Sequence, residues 1–381
     1  MKSSVYCHSI FYLLFIFFPS LISAEIEPET IFTETLPAIW PEHWFIVNHL
    51  SGARYGRTTL IDGDTASVKG TMSHGYWHEH LVIPRKTANE LYAVETYYSR
   101  ASRGERTDVV TIYDKENMAP QHEIVIPAKH YLAAGIPNIS ALTDNDQFLV
   151  VFNFTPAMSL SIVDVKKRKF VKEEPSGGCA LVYPSGPRQF FSLCANGSLL
   201  HIKLGKNGSV DSRKQTKPFF NPDEDPLTEK AVRYGAKWLF ISVNGNVQPI
   251  DFSNGDPVFE QKWTLVDENE RNNNWKIGGF QHAALHQKKG LLYSLMHQGG
   301  ADTYKDPGIE IWVYDIETKK RIKRIELERP FLSIQVTQDN RPLLFGSVIY
   351  DKYLDIYDAV SGVKLRSMEG IEADPTLLQI P

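Results

Sequence analysis

Ser161-Ile162-Val163-Asp164, an aliphatic run closed by an aspartate and followed by a turn, is one copy of a phrase that returns along the whole chain. Other copies read Thr58-Thr59-Leu60-Ile61-Asp62, Thr111-Ile112-Tyr113-Asp114, Pro249-Ile250-Asp251, Trp312-Val313-Tyr314-Asp315 and Asp355-Ile356-Tyr357-Asp358. A degenerate copy stands at His201-Ile202-Lys203-Leu204-Gly205. The closing residues are 52, 50, 41, 46, 64 and 43 positions apart. Self-similarity at about fifty residues marks a propeller or a solenoid.

The phrase has a physical reading. Alternating β-branched and aromatic residues suit a buried strand. The closing aspartate is able to accept hydrogen bonds from its own following backbone and so start a tight turn. A short strand then returns, as over residues 122–126 and 321–327. Upstream of each phrase lies an apolar run, as over 148–154, 189–194, 238–243, 291–296 and 343–348. A further strand precedes that run, as over 139–142 and 332–336. Four antiparallel strands per repeat, seven times, predict an all-β, seven-bladed β-propeller over residues 41–381. The first repeat has a strand over Trp44–His49 but no innermost strand, and the last leaves one strand over, at residues 376–380. The C-terminal strand is therefore expected to complete the first blade and close the ring, leaving no open sheet edge.

Residues 1–24 are set apart: Lys2, an apolar core over 10–18, Pro19, then the small-residue end Ile22-Ser23-Ala24. This is the pattern of a cleaved secretory signal peptide, its apolar run too short to span a membrane. Residues 25–40 are acidic and proline-containing, an extended arm. A formal net charge of −4 gives no electrostatic case for nucleic acid. The longest step contains residues 267–275, the one stretch that suggests a short helix.

Two cysteines follow the leader, Cys179 and Cys194. They flank a hairpin turning at Gly186-Pro187, and counting outward from the turn sets them opposite each other. Facing residues of a non-hydrogen-bonded pair lie about 4.5 Å apart at Cα, within reach of a disulfide. Two free buried thiols are the alternative. The chemistry-bearing motifs are sparse. His282 and His286 have i, i+4 spacing, but fall where an innermost strand is expected. Trp77-His78-Glu79-His80 is read as a strand placing two imidazoles on one face, open to a metal or to hydrogen-bonded histidines. Asp223-Glu224-Asp225 supplies too few oxygens for calcium. Residues 100–106, rich in arginine, read as a loop tip that is either solvated or a docking surface.

Several segments resemble the heavy (large) subunit of the quinoprotein amine dehydrogenases. They are residues 99–110, Pro156-Ala157-Met158-Ser159-Leu160-Ser161-Ile162-Val163-Asp164-Val165, the hairpin over 178–200, Asn274-Trp275-Lys276-Ile277-Gly278-Gly279, and Glu310-Ile311-Trp312-Val313-Tyr314-Asp315. The likeness runs in order from about residue 44 to the C-terminus, and is nearer the aromatic amine dehydrogenase form than the methylamine form. It implies a periplasmic propeller paired with a small cysteine-rich light subunit, two heavy and two light chains together. The light subunit is expected to carry tryptophan tryptophylquinone and the catalytic residues. Primary amines would leave as aldehyde and ammonia, with electrons passing to a small blue copper protein. The heavy chain itself would hold no cofactor or metal, and Cys179 and Cys194 match the family's intrachain disulfide. It would help wall the substrate entrance, for which Leu50 and Tyr55 are the candidates here. Two other readings stand beside this one: a periplasmic propeller that only binds, and a metalloenzyme using His78, His80 or His282.

Overall fold

The computed structural model describes residues 34–49, 55–78, 80–86, 89–131, 136–348, 352–371 and 375–381. Residues 1–33, where the leader and most of the arm are expected, and Leu50 lie outside them. Strand pairing gives six sheets, the largest of eight strands. That large sheet is two four-stranded blades joined by a single residue pair, Tyr76 with Thr96. Seven blades result, in chain order.

Blade 1 runs outward through Pro375–Gln379, Trp44–His49, Tyr55–Asp62 and Ser67–Tyr76. Its innermost strand is the C-terminal one, so the ring closes as the sequence predicts. Blade 2 is Leu81–Val82, Glu90–Arg100, Arg103–Asp114 and Pro120–Ile126; blade 3 is Ser140–Leu142, Phe148–Asn153, Ser159–Asp164 and Lys169–Pro175. Blade 4 is Cys179–Gly186, Gln189–Cys194, Leu199–Leu204 and Val210–Gln215; blade 5 is Val232–Tyr234, Lys237–Ile241, Asn246–Asp251 and Val258–Phe259. Blade 6 is Ala283–His286, Leu291–Gln298, Gly308–Asp315 and Lys320–Phe331, and blade 7 is Ser333–Val336, Leu343–Val348, Tyr353–Asp358 and Lys364–Met368. The insertion before blade 6 holds a helix, Glu268–Asn272, started by a reciprocal capping box between Asp267 and Glu270.

The apolar runs are continuous because each blade is buried on both faces. Successive side chains of a strand point to opposite faces. Along Phe148–Asn153, Phe148, Val150 and Phe152 enter the core shared with blade 4, while Leu149 and Val151 enter the core shared with blade 2. The last interface joins blade 7 to blade 1, where Phe345 stacks on Phe45 at 3.8 Å between ring centres. The inner strands surround a cavity of about 490 Å³, which takes Leu377, Val82, Ser140, Pro184, Val232, Ala283 and Gln335 from blades 1 to 7 in turn. Residues Thr35–Pro381 form one compact unit.

The repeated phrase is the third strand of each blade, and its aspartate does what the sequence suggests. Asp114, Asp164 and Asp315 each accept through Oδ1 from the backbone N–H three residues on, at 2.7, 3.0 and 2.7 Å. Asp62, Asp251 and Asp358 accept from the N–H two residues on, at 2.8, 2.9 and 3.0 Å. The residue four places after the aspartate takes positive φ: Ala66, Met118, Arg168, Gly255, Lys319 and Gly362. One alignment needs correcting. The first residue of the second strand faces the closing aspartate in every other blade, as Phe148 faces Asp164; in blade 4, Gln189 faces Lys203. The degenerate copy therefore ends at Lys203, not Gly205. Lys203 reaches Asp256 of blade 5 at 2.8 Å.

Candidate functional site

Tyr55 opens the third strand of blade 1 and faces Tyr76, which closes the fourth. Tyr55 is 62% exposed. Its ring lies 4.6 Å from that of Tyr76, and Tyr76 meets Tyr98 of blade 2 edge-on at 6.1 Å. Tyr97 is exposed beside them. Four tyrosines thus gather at one rim of the blade 1–blade 2 seam.

Beneath the rim lies a buried polar network. The Glu95 carboxylate accepts from Nδ1 of His74 at 3.0 Å, the Gly75 N–H at 3.1 Å, and the phenols of Tyr113 at 2.9 Å and Tyr97 at 3.2 Å. The Thr111 hydroxyl also donates to it. Burial alone would raise the Glu95 carboxyl, but the hydrogen bonds and charge of His74, with those of Thr111 and Tyr113, hold it below its ordinary value. His74 stacks on His78 at 3.8 Å, and the Thr58 hydroxyl touches both imidazoles while donating to Asn48 at 3.1 Å. Burial, and then the neighbouring His74, push His78 well below the usual histidine range. On the other strand of the hairpin, Asp108 takes a bidentate bond from Arg106, 2.7 Å on each arm, and the backbone N–H of His130 at 3.0 Å. Burial opposes its ionisation; the His130 and Arg106 contacts prevail and bring it to about 2.

The other sequence candidates fall as follows. Trp77, His78 and His80 are not in a strand: Trp77 takes positive φ just after the outer strand of blade 1, His80 precedes the first strand of blade 2, and Glu79 lies outside the described residues. His80 turns its Nδ1 onto the carbonyl of Leu81 at 3.0 Å. His286 does lie on an innermost strand, its Nε2 donating to the carbonyl of Asp339 at 2.8 Å, while His282 just before that strand meets the Thr228 hydroxyl at 2.9 Å. The histidines are thus divided among separate hydrogen-bonded sites, and no group of three or more metal-ligating side chains comes together among the described residues. Residues 100–106 are mostly strand rather than loop, with only Ala101 and Ser102 in the turn. Polar outward side chains on a projecting hairpin look like a loop in sequence. Asp225 is used locally, accepting from Asn246 at 2.8 Å.

Cys179 faces Cys194 across the blade 4 hairpin and the two form a disulfide. Trp40 and Trp44 are buried packing groups, and the rings of Trp275 and Trp312 are covered by the Arg324 guanidinium.

Residues 47–380 match the family described as methylamine dehydrogenase heavy chain. The chain belongs to the methylamine dehydrogenase heavy chain family. The heavy chain from Methylorubrum extorquens is 30% identical over 84% of this chain and 78% of its own length. Those from Methylophilus methylotrophus and Paracoccus versutus are 27% and 28% identical, over 95% and 84% of this chain and 88% and 74% of their own. Solved structures agree on the fold. A β-propeller domain from Myceliophteria thermophila has a TM-score of 0.55 at 13% identity, covering 86% of this chain and 100% of its own. A periplasmic gluconolactonase from Pseudomonas aeruginosa has a TM-score of 0.56 at 14% identity, covering 89% of this chain and 99% of its own.

As a member of the methylamine dehydrogenase heavy chain family, this chain is an oxidoreductase subunit, the heavy part of an amine dehydrogenase, and a light-chain partner is implied. The relatives are all methylamine enzymes by name, and the nearness to the aromatic form that the sequence segments suggest finds no support among them.

Proposed function

We propose that this chain is the non-catalytic heavy subunit of a periplasmic methylamine-type dehydrogenase. It seats a small light subunit bearing tryptophan tryptophylquinone, two heavy and two light chains together, and walls the entrance to the quinone with Tyr55 and Leu50. The quinone, on its own subunit, supplies the electrophilic carbonyl and the two-electron sink for converting a primary amine to aldehyde and ammonia. A small blue copper protein takes the electrons. The observation that carries this reading is the family match across residues 47–380; the leader pattern at residues 1–24 supports export.

The chain's own work is to position and to exclude. Rigid strands end at the blade 1–blade 2 rim, and ring faces there shape a passage without taking part in bond making. Aromatic amines are a second reading, favoured by the tyrosines at that rim. Affinity capture of the tagged chain from the source organism tests the assignment. A co-eluting small, cysteine-rich subunit supports it, and a heavy chain eluting alone in amine-grown cells contradicts it.

A further inference from the structure

Between blades 1 and 2 the backbone makes one paired contact, Tyr76 with Thr96. Side chains must therefore set how the two strand ends meet, and one side chain reaches them all. Glu95 is fully buried and takes its five donors from three strands. His74 and Gly75 belong to the outer strand of blade 1, Thr111 and Tyr113 to the third strand of blade 2, and Tyr97 to its own strand. A buried carboxylate is tolerated only when its lone pairs are filled, and here all the filling groups converge on the seam.

Tyr97 is the link to the rim. A Cβ at Gly75 would come within 3.1 Å of the Tyr97 Cζ, so this ring packs close against the glycine while its phenol donates to Glu95. The same carboxylate fixes the Gly75 N–H, one residue before Tyr76, the ring that Tyr55 rests on. We propose that Glu95 is a positioning residue for the substrate entrance, setting Tyr97 and the Tyr55–Tyr76 pair in the arrangement that discriminates between small and aromatic amines. This rests on the assignment of that rim as the entrance.

The test uses the assembled heavy–light complex with Tyr97→Phe and Glu95→Gln, reading kcat and KM for methylamine and phenylethylamine together with the melting temperature. Tyr97→Phe removes only the hydroxyl that Glu95 holds. It should leave the melting temperature in place and change the kcat/KM ratio between the two amines by roughly threefold to tenfold, mostly through KM. Glu95→Gln should move the ratio in the same direction and further; if it does not fold, Tyr97→Phe decides. An active complex in which Tyr97→Phe leaves the ratio unchanged overturns the positioning role alone. A wild-type complex with no amine-dependent quinone reduction overturns the enzyme assignment, and this proposal with it.

Discussion

Asn48 donates through Nδ2 to Oε1 of Gln379 at 2.7 Å, a side-chain bond between the first strand of the ring and the last. It is one of several ties on the C-terminal strand. Gln379 donates in turn to the carbonyl of Leu81 in blade 2, and Gln281 exchanges two bonds with the backbone of Leu378. Gln335 of blade 7 also donates to the Leu378 carbonyl at 3.3 Å, so blades 1, 2, 6 and 7 all grip the same five-residue strand. Deleting residues 374–381 is expected to open an edge on blade 1 and expose the core around Phe45 and Phe345. Thermal unfolding should lose its single cooperative transition or fall by more than about 10 °C; an unchanged melt would show that the strand is dispensable.

The turn after each third strand gives a smaller, local prediction. Asp315 accepts from both the backbone N–H and the hydroxyl of Thr318, and the turn continues through Lys319 at positive φ. Asp315→Ala should lower the denaturation midpoint slightly, through the loss of these two hydrogen bonds. Denaturant titration checks this; a collapse of the transition would mean the aspartate does more than hold its turn.

How much of this was legible in the sequence follows from burial. Strands such as Phe148–Asn153 announce themselves because both faces are covered, so nearly every residue is apolar. The disulfide was legible because a tight hairpin fixes register. Lys203 was not, because nothing in the sequence shows that a lysine has taken the aspartate's place in a turn of different length. The buried network was hidden as well: His74, Glu95, Asp108 and His130 are polar residues in or beside strands, and only tertiary contact brings them together. His78 and His80 were misplaced because Trp77 turns the chain out of strand geometry at positive φ. Leu50 lies outside the described residues.

Acid sensitivity follows from the buried imidazoles. Burial lowers His282 from its ordinary 6.5 to about 3, with the charge of Lys230 adding to it. The native chain therefore refuses a proton that the unfolded chain accepts below about 6.5. Stability is full above that pH and falls as pH drops through the window from about 6.5 to about 3. His201, brought to about 4 by burial and Lys203, acts in the same direction. His282→Gln should flatten part of the slope of the urea midpoint between pH 7 and pH 4.5. Parallel slopes for wild type and variant would contradict the argument.

Selectivity at the rim gives the fourth prediction. Tyr55 is exposed and rests on Tyr76, which suits the entrance-lining role proposed for its ring. Tyr55→Ala in the assembled enzyme should change the kcat/KM ratio between phenylethylamine and methylamine by roughly threefold or more, the scale of one lost ring contact. A ratio that does not move removes Tyr55 as a selector.

The most direct measurement is the visible spectrum of the complex purified from its source, recorded before and after adding amine. The account predicts a large and a small subunit running together, with quinone absorbance that bleaches on adding methylamine. Bleaching by phenylethylamine alone would place the enzyme in the aromatic class. A colourless large subunit that runs alone and does not respond to either amine would contradict the assignment.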